Sequence, residues 1–111
     1  MIAIDWGTSS LRGARLARDG TVLEERAYPR GILTVPPGGY TALFEAHFGD
    51  GMQPPGALCL IAGMAGSQQG WLEAPYCPCP AGFDELRACE QLLHTRSCTP
   101  NGAARRCKCS P

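Results

Sequence analysis

Hydrophobic and polar residues follow one another in short, regular runs through the first part of the chain. Residues 2–4 are apolar and end at Asp5, which predicts a buried strand that leads into a polar turn. Residues 11–17 alternate in polarity, and the Asp-Gly pair at 19–20 is a strong hairpin signal before a third strand at 21–28. The opening unit is therefore predicted to be three strands joined by a turn and a hairpin.

Further elements follow after a proline- and glycine-rich loop. Apolar side chains at 40, 43, 44 and 48 predict a short amphipathic helix over 40–48, with His47 on its surface. The continuous apolar run at 57–62 is typical of a central strand covered on both faces. Residues 63–71 are polar and rich in glycine, like a ligand loop or the start of a helix. Residues 81–93 are predicted as a second helix.

Composition and charge limit the classes of partner. The chain has 111 residues with 44% hydrophobic residues, which fits one domain or part of one. Its formal net charge of zero gives no attraction to nucleic acid or to an anionic membrane. Neither a secretory signal nor an apolar stretch of membrane-spanning length is apparent. We therefore expect a cytoplasmic protein with small-molecule partners and no nucleic-acid or membrane partner.

The charge is unevenly distributed along the chain. Residues 1–87 carry nine acidic and six basic side chains, whereas residues 88–111 carry one acidic and four basic ones. The second part is rich in Cys and Arg and shows no further strand signal or sustained helical period. We therefore expect a domain over 1–87 and a tail over 88–111 that is either disordered or an out-of-frame translation.

The segment Asp-Trp-Gly-Thr-Ser-Ser-Leu-Arg at 5–12 carries the clearest chemistry. Gly7 lets backbone N–H groups approach phosphate oxygens closely, and Thr8 and Ser9 add hydroxyl donors. The carboxylate of Asp5 can bind Mg²⁺ directly or through its waters. An ordinary hairpin turn is the alternative interpretation. The position directly after an apolar N-terminal strand favours phosphate binding.

The arrangement of this turn resembles the first phosphate motif of the actin/hexokinase/Hsp70 ATPase superfamily. Residues 5–12, 30–33, 63–76 and 79–82 further resemble the 2-dehydro-3-deoxygalactonokinase family, over about residues 1–87. The resemblance implies an α/β fold: a partial ribonuclease-H-like (actin-like ATPase) domain with a three-stranded antiparallel start, a helix and a central parallel strand. It also implies phosphorylation of the 6-hydroxyl of 2-dehydro-3-deoxy-D-galactonate, in galactonate catabolism, with ATP and Mg²⁺.

The block at 63–76 supplies candidate residues for the sugar acid. It follows the strand at 57–62 directly, so it is expected to share a crevice with Asp5 at the carboxyl ends of the strands. A sugar acid requires donors and acceptors for its hydroxyl groups, a partner for its carboxylate, and a packing surface for its carbon chain. The candidates for these three roles are Ser67, Gln68, Gln69 and Glu73; Arg30 or the N–H groups around Gly66; and Trp71 and Tyr76. The alternative is that the two aromatic residues belong to the core and the glutamines to a solvated helix face.

Several parts of a complete kinase are missing from the sequence. We find no second phosphate motif and no adenosine-binding segment. Glu73 and Asp84 are the candidates for a catalytic base, and neither is compelling. The four predicted strands are one fewer than a complete domain of this type contains, which leaves an open edge on the strand at 57–62. The chain is therefore expected to be an inactive kinase fragment.

Other functions remain open on the sequence alone. The chain could be a non-catalytic module that binds phosphate or a sugar acid. It could also be a small zinc protein that uses Cys77, Cys79, Cys107 and Cys109, although both pairs have one intervening residue where structural zinc sites usually have two to four. A regulatory ATPase of the same superfamily would explain the first motif but not the block at 63–76.

Overall fold

Three antiparallel strands begin the chain, as predicted from the alternation of polarity. The computed structural model describes residues 1–49, 58–93 and 104–106, without side-chain detail at 92, 93 and 104–106. Strands β1 (Ile2–Trp6), β2 (Leu11–Leu16) and β3 (Val22–Tyr28) pair in sequence. The predicted hairpin at 19–20 is confirmed, and the Asp19 carboxylate accepts a hydrogen bond of 2.9 Å from the Thr21 N–H.

The sheet continues from β1 on its other side. Strand β4 (Cys59–Ala62) runs parallel to β1, which confirms the predicted central parallel strand. Two short strands complete a six-stranded sheet: β5 (Gln91–Leu93) and β6 (Ala104–Arg106), in the order β3-β2-β1-β4-β6-β5. Strand β6 is parallel to β4, and β5 is antiparallel to β6.

These two strands correct two expectations from the sequence. The expectation of no strand after residue 88 is wrong, because β5 and β6 lie there. The expectation of an open edge on β4 is also wrong, because β6 pairs with it over Cys59–Ile61. Strands of three residues are too short to show a periodicity of their own, and only their pairing with distant residues reveals them.

One helix covers one face of the sheet. Helix α1 (Tyr40–Phe48) has the bounds that the apolar spacing predicts. Three of its side chains, Leu43, Phe44 and Phe48, are buried against the sheet. The sheet residues in this core alternate along their strands, and they are Ile2, Ile4, Trp6, Leu11, Cys59 and Ile61. Tyr28, Val35, Tyr40 and Trp71 pack around this core.

The opposite face of the sheet is open among the described residues. The prediction that the fourth strand is covered on both faces is therefore wrong. Cys59 and Ile61 are buried, whereas Leu60 is half-buried and Ala62 is exposed. A continuous apolar run indicates burial only when a second layer is present, and none covers this face in the part of the chain that the structure describes.

The segment after β4 is mostly irregular. A single 3₁₀ turn over Met64–Gly66 leads into a loop, and helix α2 (Phe83–Ala88) is shorter than the helix predicted at 81–93. The prediction fails at its end because residues 91–93 pair with β6 instead of continuing the helix. Such a short helix has little intrinsic stability, so a competing strand pairing decides the conformation. No helix in the described residues is long and apolar enough to cross a membrane.

Candidate functional site

The polar turn after β1 is held in shape by its own backbone and by a neighbouring loop. The Gly7 N–H donates to the Ser10 carbonyl at 2.9 Å, which closes the turn. The carbonyls of Gly7 and Thr8 accept hydrogen bonds from the N–H groups of Ile32 and Leu33, at 3.0 and 3.3 Å. The turn is therefore fixed on both sides, and its geometry is set before any ligand arrives.

Two groups of donors remain available on this turn. The side chains of Thr8 and Ser9 are exposed. Their N–H groups donate to no other backbone group within the described ranges. The N–H group of Gly7 itself is not available to a phosphate, because it donates to the Ser10 carbonyl inside the turn. Thr8 and Ser9 therefore present the donors that an anion could use, and Gly7 contributes the space above the turn.

The loop at 30–33 lies directly against this turn. The indole Nε1–H of Trp6 donates to the Arg30 carbonyl at 2.9 Å, which positions the exposed Arg30 beside the turn. A Cβ on Gly31 would collide with the backbone of Thr8 and Ser9, so any larger residue would push the loop away. From the sequence, Arg30 was a candidate partner for a carboxylate, and Gly31 was noted only as part of the resemblance. Their role in supporting the turn requires the fold to be known.

The second glycine-rich segment begins beside the Asp5 carboxylate. Asp5 pairs in register with Ala62, so both strands deliver their following residues to the same edge of the sheet. Gly63 has φ +93°, and a Cβ there would lie 2.9 Å from Asp5 Oδ1 and 2.8 Å from the Trp6 carbonyl oxygen. The structure therefore brings the starts of the two segments together, as expected for the carboxyl ends of adjacent parallel strands.

The loop at 63–74 is folded back on itself. The Ala65 carbonyl accepts hydrogen bonds from Trp71 and Leu72, and the Gly66 carbonyl accepts one of 2.9 Å from Ala74. Ser67 is buried, and its hydroxyl donates to the Met64 carbonyl at 2.7 Å. Ser67 and the buried Gly66 therefore hold the loop together, and their polar groups are not displayed on the surface. In contrast, Gln68, Gln69 and Glu73 are exposed.

The aromatic candidates separate into two environments. Trp71 stacks on Tyr40 with a ring-centroid distance of 6.0 Å and meets Trp6 edge-on at 5.9 Å. The Tyr40 hydroxyl also donates to the Gln69 carbonyl at 3.1 Å. Trp71 is thus an aromatic residue at the edge of the core, which favours the packing alternative. Tyr76, in contrast, is 61% exposed.

A shallow cavity of about 590 Å³ extends from Asp5 across the open face of the sheet. Alanine side chains line much of it, and Arg12 and Glu25 contribute charge. Arg12 on β2 pairs in register with Asp5 on β1, so a positively charged residue lies opposite the candidate metal ligand. Arg12 belongs to the segment at 5–12 but had no predicted role of its own. The alternation of the apolar Leu11 with Arg12 is the sequence signal that Arg12 faces the side of the strand opposite to the core.

Comparison with known proteins places this geometry in a family. The model of the 2-keto-3-deoxy-galactonokinase family matches residues 5–102, a span that includes both glycine-rich segments. The chain belongs to this family. The match begins at Asp5 and continues beyond residue 87, where the resemblance seen in the sequence ended.

Individual relatives of this 2-keto-3-deoxy-galactonokinase family member carry corresponding names. A protein of Rhizobium meliloti assigned as a 2-dehydro-3-deoxygalactonokinase is 39% identical over 84 residues. The 2-dehydro-3-deoxygalactonokinase of Escherichia coli is 35% identical over 85 residues. These stretches cover 76% and 77% of this chain, respectively, and 28% of each relative. The chain therefore spans little more than a quarter of the length of these relatives.

A solved structure extends the comparison to the fold. A crystal structure of a protein assigned as 2-dehydro-3-deoxygalactonokinase from Sinorhizobium meliloti matches with a TM-score of 0.79 and 32% identity. The match covers 96% of this chain and 34% of that structure. The mixed α/β sheet of this chain is thus similar to one part of a larger protein.

The candidates for a catalytic base are both on the surface. Glu73 is exposed in the loop that follows β4, and Asp84 is exposed in the first turn of α2. Its neighbour Glu85 has a structural role, because its carboxylate accepts a hydrogen bond of 2.8 Å from the Gly82 N–H. Hydrogen bonding to its own backbone, followed by the hydrogen bond from Gly82, lowers the pKa of Glu85. Neither candidate shows a contact that assigns it as the base.

The zinc alternative depends partly on residues outside the described part of the chain. Cys77 is buried and Cys79 is exposed, whereas Cys107 and Cys109 lie outside the described residues. Across 1–49, 58–93 and 104–106, no group of three or more His, Cys, Asp or Glu side chains is placed to hold a metal ion. The described pair alone provides no zinc site.

Proposed function

We propose that this chain provides the first phosphate-binding part of an ATP-dependent kinase that phosphorylates 2-dehydro-3-deoxy-D-galactonate. The observation that carries the proposal is the turn from Asp5 to Ser9, which is fixed in shape and presents an exposed carboxylate and unused N–H groups. Membership of the 2-keto-3-deoxy-galactonokinase family supports the same reaction. Phosphoryl transfer depends mainly on positioning and charge neutralisation, which such a turn can provide.

The residues of the turn fit an Mg²⁺–phosphate group. Asp5 would hold the ion directly or through a coordinated water, because its carboxylate is exposed at the end of β1. Thr8 and Ser9 would donate to the phosphate oxygens, and Gly7 leaves the approach clear. When bound, Mg²⁺ would neutralise the charge on the phosphates. Gly63 is part of this arrangement, because a side chain there would displace the Asp5 carboxylate.

The sugar acid would lie beside the turn, between the two glycine-rich segments. Arg30 is the best-placed partner for its carboxylate, since the Trp6 indole holds the Arg30 backbone next to the turn. Gln68, Gln69 and Glu73 are exposed and would serve its hydroxyl groups. The remaining candidates are supported less well: Gly66 and Ser67 stabilise the loop, Trp71 packs on the core, and Tyr76 projects from the surface.

We assign the fold to a partial ribonuclease-H-like domain of the actin-like ATPase type. The support is the strand order β3-β2-β1-β4-β6, with an antiparallel meander followed by two parallel strands. In that superfamily, two similar domains enclose ATP. The chain covers 28% of the kinases named among its relatives, so the partner domain and the catalytic base would come from the rest of such a protein.

A chimera tests this proposal directly. Residues 1–87 would replace the matching segment of the Rhizobium meliloti relative, and ATP-dependent phosphorylation of 2-dehydro-3-deoxy-D-galactonate would be measured. We expect the chimera to be active and the 111-residue chain alone to be inactive. Asp5→Asn in the chimera should lower activity by about 10- to 100-fold, as loss of a residue that orients metal-bound groups typically does.

Asp19→Asn is the matched control, because Asp19 is an exposed aspartate in the other turn of the same meander. Asparagine is also well tolerated in such turns, so the control should retain nearly full activity. A chimera in which Asp5→Asn is as active as the parent would contradict the role assigned to Asp5. An active chimera that prefers another sugar acid would keep the kinase role and reject the substrate.

A non-catalytic binding module is the second candidate. The observation in its favour is that the turn is already braced in the isolated chain, by hydrogen bonds from Ile32 and Leu33. Isothermal titration of the chain with Mg²⁺–ATP and with the sugar acid distinguishes the two. Binding that is lost in Asp5→Asn would support a module that works alone, whereas no binding would favour a part that depends on the rest of a kinase.

The division at residue 87 also remains a proposal. The change in charge and composition supports a separate tail over 88–111, either disordered or translated out of frame. The family match to residue 102 and the strands β5 and β6 weigh against it. Sequencing the coding DNA beyond the codon for Arg87 and translating all three frames would decide, because a frameshift predicts family sequence in another frame.

A further inference from the structure

Three aromatic side chains form a cluster that joins the end of β1, the start of α1 and the loop after β4. Trp6 meets Tyr40 edge-on with ring centroids 5.4 Å apart, and it meets Trp71 edge-on at 5.9 Å. Tyr40 and Trp71 are stacked at 6.0 Å. Each ring therefore contacts the other two. Because aromatic side chains have only two torsions each, such a cluster is rigid.

Two members of the cluster hold the backbone of candidate residues for the sugar acid. The Trp6 indole N–H donates to the Arg30 carbonyl at 2.9 Å, and the Tyr40 hydroxyl donates to the Gln69 carbonyl at 3.1 Å. Neither carbonyl accepts a hydrogen bond from a backbone N–H within residues 1–49, 58–93 and 104–106. The side chains of Arg30 and Gln69 are exposed. The two hydrogen bonds thus fix where these side chains begin and leave their polar groups accessible.

Burial makes the Trp6 anchor the stronger of the two. Trp6 is fully buried, so water does not reach its indole N–H, and the Arg30 carbonyl is the partner that this donor requires. Movement of the Arg30 backbone away from Trp6 would leave a buried donor unpaired, which is costly. Tyr40 is half-buried, so its hydroxyl can exchange the Gln69 carbonyl for water at a smaller cost.

We propose that Trp6 and Tyr40 are positioning residues that set the separation of Arg30 and Gln69, and with it the length of the sugar acid that fits between them. The inference rests on the proposed function, which assigns Arg30 to the carboxylate and Gln69 to hydroxyl groups. These groups lie at different points along an open-chain acid. Two recognition groups at a fixed separation therefore favour one chain length, because an acid of another length leaves one of them unpaired.

Steady-state kinetics of the chimera tests the positioning role. Trp6→Phe keeps an aromatic ring but removes the N–H donor. It should raise the KM for 2-dehydro-3-deoxy-D-galactonate by about 3- to 10-fold, the range for one lost hydrogen bond, and should leave kcat and the KM for ATP within about twofold. Tyr40→Phe should raise the same KM by about 2- to 5-fold, because its hydroxyl is the weaker anchor.

Two control variants separate positioning from a general loss of stability. Tyr28→Phe removes the hydroxyl of another half-buried tyrosine, which packs on Phe48 with ring centroids 5.9 Å apart, and should leave the kinetic constants unchanged. Phe48→Leu loosens the core without removing a donor, so it should lower the melting temperature and leave the KM for the sugar acid unchanged. If Phe48→Leu raised that KM as much as Trp6→Phe, the positioning role would be overturned.

A shorter substrate tests the inference about chain length. The ratio of kcat/KM for the six-carbon acid to kcat/KM for a five-carbon 2-dehydro-3-deoxy acid would be measured in the parent chimera and in Trp6→Phe. We expect the parent to prefer the six-carbon acid and the ratio to fall by about threefold or more in Trp6→Phe. An unchanged ratio would overturn the link between the aromatic cluster and substrate length.

Amide hydrogen exchange in the 111-residue chain tests the two anchors without any catalytic activity. The N–H groups of residues 32 and 33 donate to the turn after β1 and report on the Arg30 loop, whereas those of 71 and 72 donate to the Ala65 carbonyl and report on the Gln69 loop. Trp6→Phe should accelerate exchange at 32 and 33 by about 3- to 10-fold. Tyr40→Phe should accelerate it at 71 and 72 by a smaller factor.

The two sets of measurements separate failure of this inference from failure of the proposed function. An inactive chimera would contradict the proposed kinase function and, with it, the assignment of the two anchored side chains to a sugar acid. An active chimera whose KM for the sugar acid is unaltered in Trp6→Phe and Tyr40→Phe would overturn the positioning role alone. Exchange that is unchanged in both variants would overturn the anchoring itself, whatever the activity.

Discussion

The two faces of the sheet are built from the same strands but differ in chemistry. One face carries large apolar side chains such as Ile4 and Trp6, which are at most 2% exposed beneath α1. The other carries small and charged side chains, among them Ala3, Asp5 and Arg12, and bears the shallow cavity. The first face supplies most of the buried apolar area, which is the main source of stability. The second face supplies the groups that can meet a ligand.

The difference between the two faces allows β1 to carry an exposed carboxylate without loss of its packing against the core. Successive side chains of a strand point to opposite faces, so Ile4 and Trp6 anchor the strand while Asp5 between them faces the open side. Asp5 also sits between paired neighbours on β2 and β4, which fix its backbone. The site is therefore positioned by core residues that would never touch a ligand.

The largest expected effect comes from removing an aromatic ring from the covered face. Phe48 is fully buried at the end of α1 and packs against Phe44 with ring centroids 5.7 Å apart. Phe48→Ala should lower the free energy of unfolding by about 3–5 kcal/mol, because it removes buried area and leaves a cavity. Urea unfolding followed by circular dichroism measures the change, and Phe48→Leu should show a smaller one.

Leu23→Ala provides the matched change away from the covered face. Leu23 is 53% exposed on β3, so its truncation should alter the free energy of unfolding by about 0.5 kcal/mol or less. The comparison between the faces would be wrong if Leu23→Ala were as costly as Phe48→Ala. That result would mean that another part of the protein covers the open face in solution.

A smaller effect is expected from adding a methyl group under α1. Gly13 lies beneath the Phe48 ring, and a Cβ there would come within 2.8 Å of Ile4 Cδ1. Gly13→Ala should therefore cost about 1–3 kcal/mol of unfolding free energy through overpacking. Ala27→Val adds more volume on the exposed side of β3 and should be nearly neutral. If the two substitutions lowered the free energy of unfolding equally, side chains would be packed equally tightly on the two faces, and the comparison would be wrong.

The covered face was largely predictable from the sequence. Local patterns, such as the spacing of Leu43, Phe44 and Phe48, determine the first three strands and α1, and the structure agrees with them. The apolar run at 57–62 predicted a central strand, and its parallel orientation was implied by the family resemblance. These elements were found because each has a periodicity or a turn signal within its own sequence.

The features that the sequence did not reveal depend on contacts between distant residues. The strands at 91–93 and 104–106 exist through their pairing, and the open face of β4 reflects which layers are present. The same applies at the candidate site. The support that Gly31 gives to the turn, and the contact of Gly63 with Asp5, both follow from loops that meet only in the folded chain.

The smallest expected effect is a pH dependence at the end of α1. His47 stacks on Tyr28 with ring centroids 3.9 Å apart, and burial, followed by the charge of Arg30, lowers its pKa from the usual 6.5. The folded chain then binds fewer protons than the unfolded chain around that pH. Stability should therefore fall as the pH decreases through 6.5 towards the lower folded pKa.

His47→Gln isolates this contribution, because glutamine keeps a polar side chain but does not titrate. The difference in unfolding free energy between the wild-type chain and His47→Gln should be constant above about pH 7.5 and should shift against the wild type at lower pH. Asp19 and Glu85 also have lowered pKa values, but their carboxylates titrate in a more acidic range. A difference that moves in the opposite direction would mean that folding favours the charged imidazole, and that the edge of the covered face is more accessible to water than its packing indicates.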